Sequence, residues 1–195
     1  MRRSSNQDRF KNLAQLKEDL YLVVEGEADA LFVNKIISFM STKYNVRVRI
    51  AHGNGNIPIH VNILKKVYSY SKIVVLYDLD GHFDLVDIKR FLKNKEVDLK
   101  DRDIYFVNPC IEYFMILTKE INKEKFTHKK DYKELIFNHY GVRDYAGNIP
   151  QVEAIVEQIQ YEDYHNFLNN LASISSKDYD LPSSNFIYFI RRIQK

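Results

Sequence analysis

Residues 20–29 read LYLVVEGEAD and residues 72–81 read KIVVLYDLDG, and these two stretches decide the fold. Each begins as a short run of apolar, largely β-branched residues, which is typical of a strand buried on both faces. Each run then passes directly into acidic residues and a glycine. The pattern therefore predicts two buried strands with carboxylates at their carboxyl ends.

Around these strands, strand-like and helix-like patterns alternate along the chain. Residues 46–50 and 103–107 have the composition of further strands, and apolar residues at helical spacing predict a helix over residues 29–44 and others between the later strands. Strands that alternate with helices imply right-handed crossovers between parallel strands. The predicted fold class is α/β, a mainly parallel sheet flanked by helices on both faces.

The pattern changes near residue 119 and becomes almost wholly helical. Helices are expected over residues 127–140, 150–171 and 184–193. We therefore divide the chain into a basic N-terminal lead-in (1–19), an α/β core (20–118) and a helical C-terminal region that packs on the core (119–195).

The composition of the 195-residue chain is that of an ordinary globular protein, with a formal net charge of +3. This charge is too small to indicate a nucleic-acid partner by itself. No apolar run approaches the ~20 residues that span a bilayer, so no membrane partner and a cytoplasmic location are expected. The single cysteine, Cys110, excludes an internal disulfide and cannot alone form a zinc site.

The acids at the two strand ends form the candidate metal site. They are Glu25, Glu27, Asp78 and Asp80. In a doubly wound sheet, residues at the carboxyl ends of the strands line the ligand crevice. Clustered carboxylates repel one another unless a cation lies among them, and hard oxygen ligands without a histidine or cysteine cluster favour Mg²⁺ or Mn²⁺. The alternative is that these acids only cap helices or form turns.

Together the two stretches resemble the Toprim domain of topoisomerases, primases, small RNA-processing nucleases and OLD-family nucleases. Val24-Glu-Gly-Glu-Ala-Asp29 is similar to the first Toprim motif, and Leu76-Tyr-Asp-Leu-Asp-Gly81 to the second. The resemblance implies that Glu25 is the metal-linked acid or general acid/base and that Asp78 and Asp80 are metal ligands. It also implies that Glu27 is the second acid of the nuclease branch.

Two further segments resemble RloB-like Toprim proteins. Residues 108–114 (NPCIEYF) are similar to their Asn-Pro-Cys segment, and residues 181–185 (LPSSN) to their C-terminal Pro-Ser-Thr-Asn turn. This resemblance implies metal-dependent cleavage of DNA or RNA, tRNA included, in a bacterial anti-phage system. It also implies an ABC or SMC-like ATPase as partner, and it leaves a homo-oligomer open. The chain departs from the pattern at Ile111 and Tyr113.

Other residues are candidates for supporting roles. Glu112 is the best additional catalytic acid, although a glutamate at a helix start is also favoured by the helix dipole alone. Gly53, Asn54 and Gly55 lie in a turn between a strand and a helix, where backbone amides can bind a substrate phosphate or simply turn the chain. His82 is a further candidate for the phosphate. Cys110 is expected to be a buried thiol, since no His–acid pair is placed to activate it.

Two other functions stay open at the level of sequence. A Toprim-like domain without turnover would be a binding or regulatory subunit of an ATPase complex. Residues 74–81 also resemble the first motif of haloacid-dehalogenase phosphatases, in which the first aspartate is a nucleophile. That family needs a later strand that ends in paired acids, and none follows Val107.

Overall fold

A computed structural model of the chain describes residues 17–69, 71–80, 84–122, 129–174 and 181–195. Its strands are β1 (Glu18–Val24), β2 (Tyr44–Ile50), β3 (Lys72–Asp78), β4 (Ile104–Asn108) and β5 (Ser183–Ser184). They form one five-stranded sheet in the order β2-β1-β3-β4-β5. The first four strands pair with one another in parallel, and β5 pairs antiparallel with β4. The predicted α/β class with a mainly parallel sheet is confirmed.

Helices cover both faces of this sheet. They are α1 (Glu27–Ser38), α2 (Ile57–Val67), α3 (Leu85–Asn94), α4 (Ile111–Leu117), α5 (Lys133–Tyr140), α6 (Ile149–Gln158), α7 (Tyr161–Ser173) and α8 (Phe186–Ile193). Helices α2 and α3 cover one face, where they pack on Val23, Val75 and Tyr77. Helices α1 and α4 to α8 cover the other face, which includes Leu22 and Leu76. The alternation of strand side chains between two cores explains why the central strands β1, β3 and β4 contain long apolar runs.

The core on the α1 face extends from the sheet into the C-terminal helices. Phe114 of α4 contacts Phe167 of α7 and Phe186 of α8, with ring centroids 5.4 and 5.3 Å apart. All three rings are fully buried, and each such side chain contributes roughly 1.5–3 kcal/mol. The segment after residue 118 therefore completes the hydrophobic core around α4, the helix that begins beside the candidate site.

The helix predicted over residues 29–44 is wrong at both ends. Helix α1 begins two residues earlier because Gly26 is its N-cap, and the backbone N–H of Gly26 donates to the Asp29 carboxylate at 2.9 Å. It ends at Ser38, and Tyr44 instead begins β2, where it is the register partner of Glu18. Pairing with β1 is a long-range interaction, and it outweighs the local helical spacing.

Two predicted C-terminal helices also differ from the structure. The helix predicted over residues 150–171 is divided into α6 and α7 by extended backbone at Ile159 and Gln160. The helix predicted over residues 184–193 begins at Phe186, because Ser184 belongs to β5. The Asn185 side chain accepts from the Phe106 N–H at 2.8 Å, which attaches this turn to β4.

In the ranges given above, no helix combines the length and the apolar character that a bilayer crossing requires.

Candidate metal site at the carboxyl edge of the sheet

The two acid-bearing strands are neighbours in the sheet. β1 and β3 pair in parallel, with Leu20 opposite Lys72 and Val23 opposite Val75. Because the two strands run in the same direction, both end at the same edge of the sheet. Glu25 follows the last residue of β1, and Asp78 is the last residue of β3. The sheet therefore places the two predicted motifs side by side.

Asp78 lies at the centre of this edge and is only 5% exposed. Its Oδ2 accepts a hydrogen bond from the backbone N–H of Ile111, the first residue of α4, at 3.2 Å. Among the described residues, its Oδ1 is buried and has no hydrogen-bond partner. A buried carboxylate oxygen without a donor is costly, and such a position calls for a proton, a water or a cation.

The surroundings of Asp78 make its negative charge still less favourable. Burial is the main cause that raises its pKa well above the ordinary aspartate value, and neighbouring carboxylates raise it further. In decreasing order, these carboxylates belong to Asp29, Glu112, Glu25 and Asp80. Among the described residues, no basic group lowers the pKa of Asp78. The edge therefore gathers five carboxyl groups, that of Asp78 and those of its four acidic neighbours, around one buried position. A divalent cation would stabilise their negative charge.

Asp29 belongs to this group, although the sequence indicated no more than a helix-start acid. It is 4% exposed, and it is the neighbouring charge with the largest effect on the pKa of Asp78. The sequence does contain a signal for its burial. Asp29, Val33 and Ile36 follow one another at helical spacing and are all buried, so an aspartate occupies a position of the core-facing stripe of α1.

The two glutamates of the first motif lie in different environments. Glu25 is partly buried and raises the pKa of Asp78, and its carbonyl oxygen accepts from the Gly53 N–H at 3.0 Å. Glu27 is the first residue of α1, is exposed, and is not among the groups that raise the pKa of Asp78. The structure thus brings Glu25 to the cluster and leaves Glu27 exposed at the start of α1.

Asp80 is exposed and lies two residues beyond Asp78, with a positive φ of 49°. The segment is attached to the neighbouring strand: the Leu79 N–H donates to the Val107 carbonyl at 3.0 Å, and the Asp80 N–H to the Pro109 carbonyl at 2.8 Å. The peptide bond between Asn108 and Pro109 is cis. These two bonds continue the pairing of β3 with β4 past Asp78, which holds Asp80 at the same edge of the sheet.

Glu112 lies on the inner side of the cluster and is fully buried. Its Oε1 accepts a hydrogen bond from the Tyr145 hydroxyl at 2.9 Å. Burial and the nearby Glu112 raise the pKa of Tyr145, so this hydroxyl stays protonated and remains a donor. Glu112 therefore connects the acidic edge to the segment before α6, and the structure places it as a buried neighbour of Asp78 with no exposure to solvent.

Cys110 is the N-cap residue of α4 and is buried, which agrees with the predicted buried thiol.

The turn after β2 borders the same edge. Gly53 has a φ of 117°, a conformation that favours glycine, and a Cβ added at Gly53 or Gly55 would meet no atom within 4 Å. The Asn54 side chain donates to the carbonyl oxygen of Asp78 at 3.1 Å. Gly53, Asn54 and Gly55 thus lie beside the acids, as a phosphate-contacting turn would. His82 and Gly81 lie outside the described residues.

The carboxylate oxygens of this cluster are ligands that suit Mg²⁺ or Mn²⁺, and within the described part of the chain the Oδ1 of Asp78 receives no hydrogen bond. Within the described ranges, however, no three His, Cys, Asp or Glu side chains already stand as a preformed ion-binding group. Ion binding would therefore require the less buried carboxylates, Glu25 and Asp80, to turn toward Asp78.

Comparisons with known proteins add one similar structure. No protein-family model matches the chain, and no curated protein matches it. A solved structure of the C-terminal region of the Burkholderia pseudomallei OLD protein is similar to it with a TM-score of 0.46 and 13% sequence identity, over 77% of this chain and 94% of that one. The sheet topology, and not this similarity, establishes the fold class. None of these comparisons shows the family of the chain.

Proposed function

We propose that this protein is a metal-dependent nuclease of the Toprim type that hydrolyses phosphodiester bonds of DNA or RNA. One observation carries the proposal: Asp78 is buried at the carboxyl end of a central parallel strand among four other carboxyl groups, and no described residue donates a hydrogen bond to its Oδ1. A structural role alone gives no reason to concentrate negative charge at a buried position. Binding of a divalent cation gives one.

The proposed ligands are Glu25, Asp78 and Asp80, with Glu27 at the solvent side of the same ion. A bound Mg²⁺ or Mn²⁺ would stabilise the charge that develops on a reacting phosphate and would favour deprotonation of the attacking water. Asp78 is the fixed ligand, because the Ile111 N–H already orients its Oδ2. Its deprotonation is coupled to ion binding, since burial and the neighbouring acids favour the protonated form when no ion is bound.

Other residues of the edge orient the substrate and move protons. Glu25 is partly exposed at the end of β1, so it can take a proton from water or return one to a leaving oxygen. The open turn at Gly53 and Gly55 allows a phosphate to approach the backbone. Glu112 is proposed as an additional catalytic acid on the buried side of the cluster, where its hydrogen bond with Tyr145 fixes its position.

The biological setting is proposed from the motif resemblance alone. RloB-like Toprim proteins belong to bacterial anti-phage loci, so the nuclease would be the effector of such a system in the cytoplasm. An ABC or SMC-like ATPase is the proposed partner, and a homo-oligomer is compatible with the exposed faces. A non-catalytic subunit of the same complex is the alternative that the following experiment separates.

The test is cleavage of plasmid, single-stranded DNA and total tRNA by the purified protein with Mg²⁺, with Mn²⁺ and with EDTA. We expect cleavage of at least one substrate with metal and none with EDTA. The variants Asp78→Asn and Glu25→Gln preserve shape and should lower the rate by about 100-fold or more, since each removes a proposed ligand. Asp98→Asn and Glu157→Gln are matched controls, because both residues are exposed and distant in sequence from the cluster.

Cleavage that survives both ligand substitutions would contradict the assignment of the site. No cleavage of any substrate, with the partner ATPase supplied, would favour the binding subunit. Release of phosphate from small phosphomonoesters would favour the phosphatase.

A further inference from the structure

A cavity of about 240 Å³ opens beside Asp78 on the opposite face of the sheet from Asp29 and Glu112. It lies between the end of β3, the turn that contains Asn54 and Gly55, and the first turns of α3. Tyr77 precedes Asp78 in the strand, so its side chain points to the α2 and α3 face while that of Asp78 points to the acidic cluster. The cavity and the acids thus share one strand end.

Apolar and aromatic side chains form most of the cavity wall. Tyr77 and Ile88 are buried, and Phe91 is partly exposed. The size is below that of most drug-sized ligand pockets, which begin at about 300 Å³. Such a space suits one planar ring system, since flat rings stack on aromatic and aliphatic side chains.

Two polar atoms in this wall lack partners. Among the described residues, neither the Tyr77 hydroxyl nor the Asn54 Oδ1 has a hydrogen-bond partner, and both atoms are buried. The Asn54 amide nitrogen donates to the Asp78 carbonyl, which fixes the side chain and leaves its oxygen as the available acceptor. Burial raises the pKa of Tyr77, so its hydroxyl stays protonated and available as a donor. Unpartnered buried polar atoms are uncommon and often mark a ligand position.

We propose that this cavity binds one nucleobase of a single-stranded nucleic acid, stacked against Phe91 and hydrogen-bonded by Tyr77 and Asn54. A nucleobase combines the required features, because it is planar and carries donors and acceptors along one edge. The Asp87 carboxylate, which also lines the cavity and is paired with Arg90 at 2.9 Å, offers a further acceptor.

The proposal rests on the proposed nuclease function and gives it a substrate class. Asp78 borders the cavity while its side chain points to the acidic cluster, so a base bound in the cavity would bring the adjoining phosphate to the strand end where the proposed metal site lies. A base can enter only when it is unstacked and unpaired. The preferred substrates are therefore single strands and loops, as in the unpaired regions of tRNA, and intact duplexes are poor substrates.

The test measures binding in EDTA, where cleavage does not interfere. Fluorescence anisotropy compares short labelled single strands, both DNA and RNA, with a matched strand of abasic sugars and with the corresponding duplex. We expect the base-containing single strands to bind at least tenfold more tightly than either. Phe91→Ala should remove roughly tenfold of this affinity by loss of stacking. Tyr77→Phe should weaken the same binding severalfold, with no effect on the abasic strand.

Matched controls separate the cavity from general surface effects. Phe137→Ala and Tyr188→Phe make the same changes at exposed positions on α5 and α8 and should leave binding unchanged. A thermal melt of Phe91→Ala checks that the variant is folded, and Tyr77→Phe covers the case in which it is not. Equal affinity for base-containing and abasic strands, or unchanged binding in a folded Phe91→Ala and in Tyr77→Phe, would overturn the inference. Base-dependent binding without metal-dependent cleavage would support the cavity and contradict the nuclease.

Discussion

The acids at the two ends of the parallel strands lie in opposite environments. At the amino end of β1, Asp19 pairs with Arg47 at 3.1 Å and Glu18 pairs with Lys72 at 2.8 Å. At the carboxyl end, Asp78 is surrounded by other acids. At the first end the acids are exposed or partly exposed and are matched by basic side chains, whereas at the second end Asp78 is buried and lies among other acids.

The pKa values follow this difference. Hydrogen bonds from Arg47 and Asn45 lower the pKa of Asp19, while burial and four neighbouring acids raise that of Asp78. Ion pairs at the exposed end are what a surface strand edge ordinarily carries. At the carboxyl end the charged form of Asp78 is unfavourable and a ligand can stabilise it, which is characteristic of functional sites.

Neutralising Asp78 should affect activity and stability in opposite directions. Asp78→Asn is expected to lower metal-dependent cleavage by about 100-fold or more. In EDTA the same variant should be more stable than the wild type, by on the order of 1–3 kcal/mol, because folding of the wild type requires this buried carboxyl to keep a proton or to bear a charge among other acids. Urea denaturation in EDTA measures the second effect. A loss of stability together with the loss of cleavage would indicate that Asp78 is a structural residue.

The stability difference between wild type and Asp78→Asn should depend on pH. A raised pKa in the folded state means that the native protein holds a proton that the unfolded chain releases above the ordinary aspartate value of 3.8. The wild type therefore loses stability relative to the variant as pH rises above about 3.8, up to the folded-state pKa. Denaturation of both proteins in EDTA across this range should show a widening gap. A constant gap would show that Asp78 titrates normally.

The two glutamates of the first motif should contribute unequally to metal binding. Glu25 is close enough to raise the pKa of Asp78, whereas exposed Glu27 does not contribute. We expect Glu25→Gln to weaken Mn²⁺ binding by about 10- to 100-fold and Glu27→Gln to weaken it by less. Calorimetric titration of Mn²⁺ into both variants shows which substitution weakens binding more. The reverse order would make Glu27 the principal ligand and would require α1 to move.

Substitution at the amino end of β1 should have the smallest effect on stability and activity. Asp19→Asn removes one exposed ion pair, so we expect only a small loss of stability that disappears at high salt, and no change in cleavage or metal binding. Urea midpoints at low and high salt measure it. An effect on cleavage would mean that the two ends of the sheet are coupled.

Local patterns predicted the strands that form the site but not all of its members. β1 and β3 contain the apolar runs 20–24 and 73–77, so their burial and the acids that follow them could be inferred from neighbouring residues. Asp29 was missed because an acid in the first turn of a helix is ordinary, and only its position on the buried stripe distinguishes it. The orientation of Asn54 depends on the end of a strand 24 residues away, which no local pattern contains.

The end of α1 and the start of the last helix were mispredicted for a related reason. In both places local helical spacing continues, and pairing with a distant strand decides the structure. Tyr44 is the register partner of Glu18 in β1, and Ser184 that of Val107 in β4. Such pairings cannot be deduced from one segment alone, because their free energy comes from the sheet as a whole.

We propose that the carboxyl edge of the sheet binds a divalent cation and that the amino edge does not. Calorimetric titration of Mn²⁺ and Mg²⁺ into the wild type, Asp78→Asn and Asp19→Asn, with proton release followed in parallel, measures this difference. We expect binding by the wild type and by Asp19→Asn, with release of protons as the buried cluster ionises, and no binding by Asp78→Asn. Absence of binding by the wild type, or unchanged binding by Asp78→Asn, would contradict it.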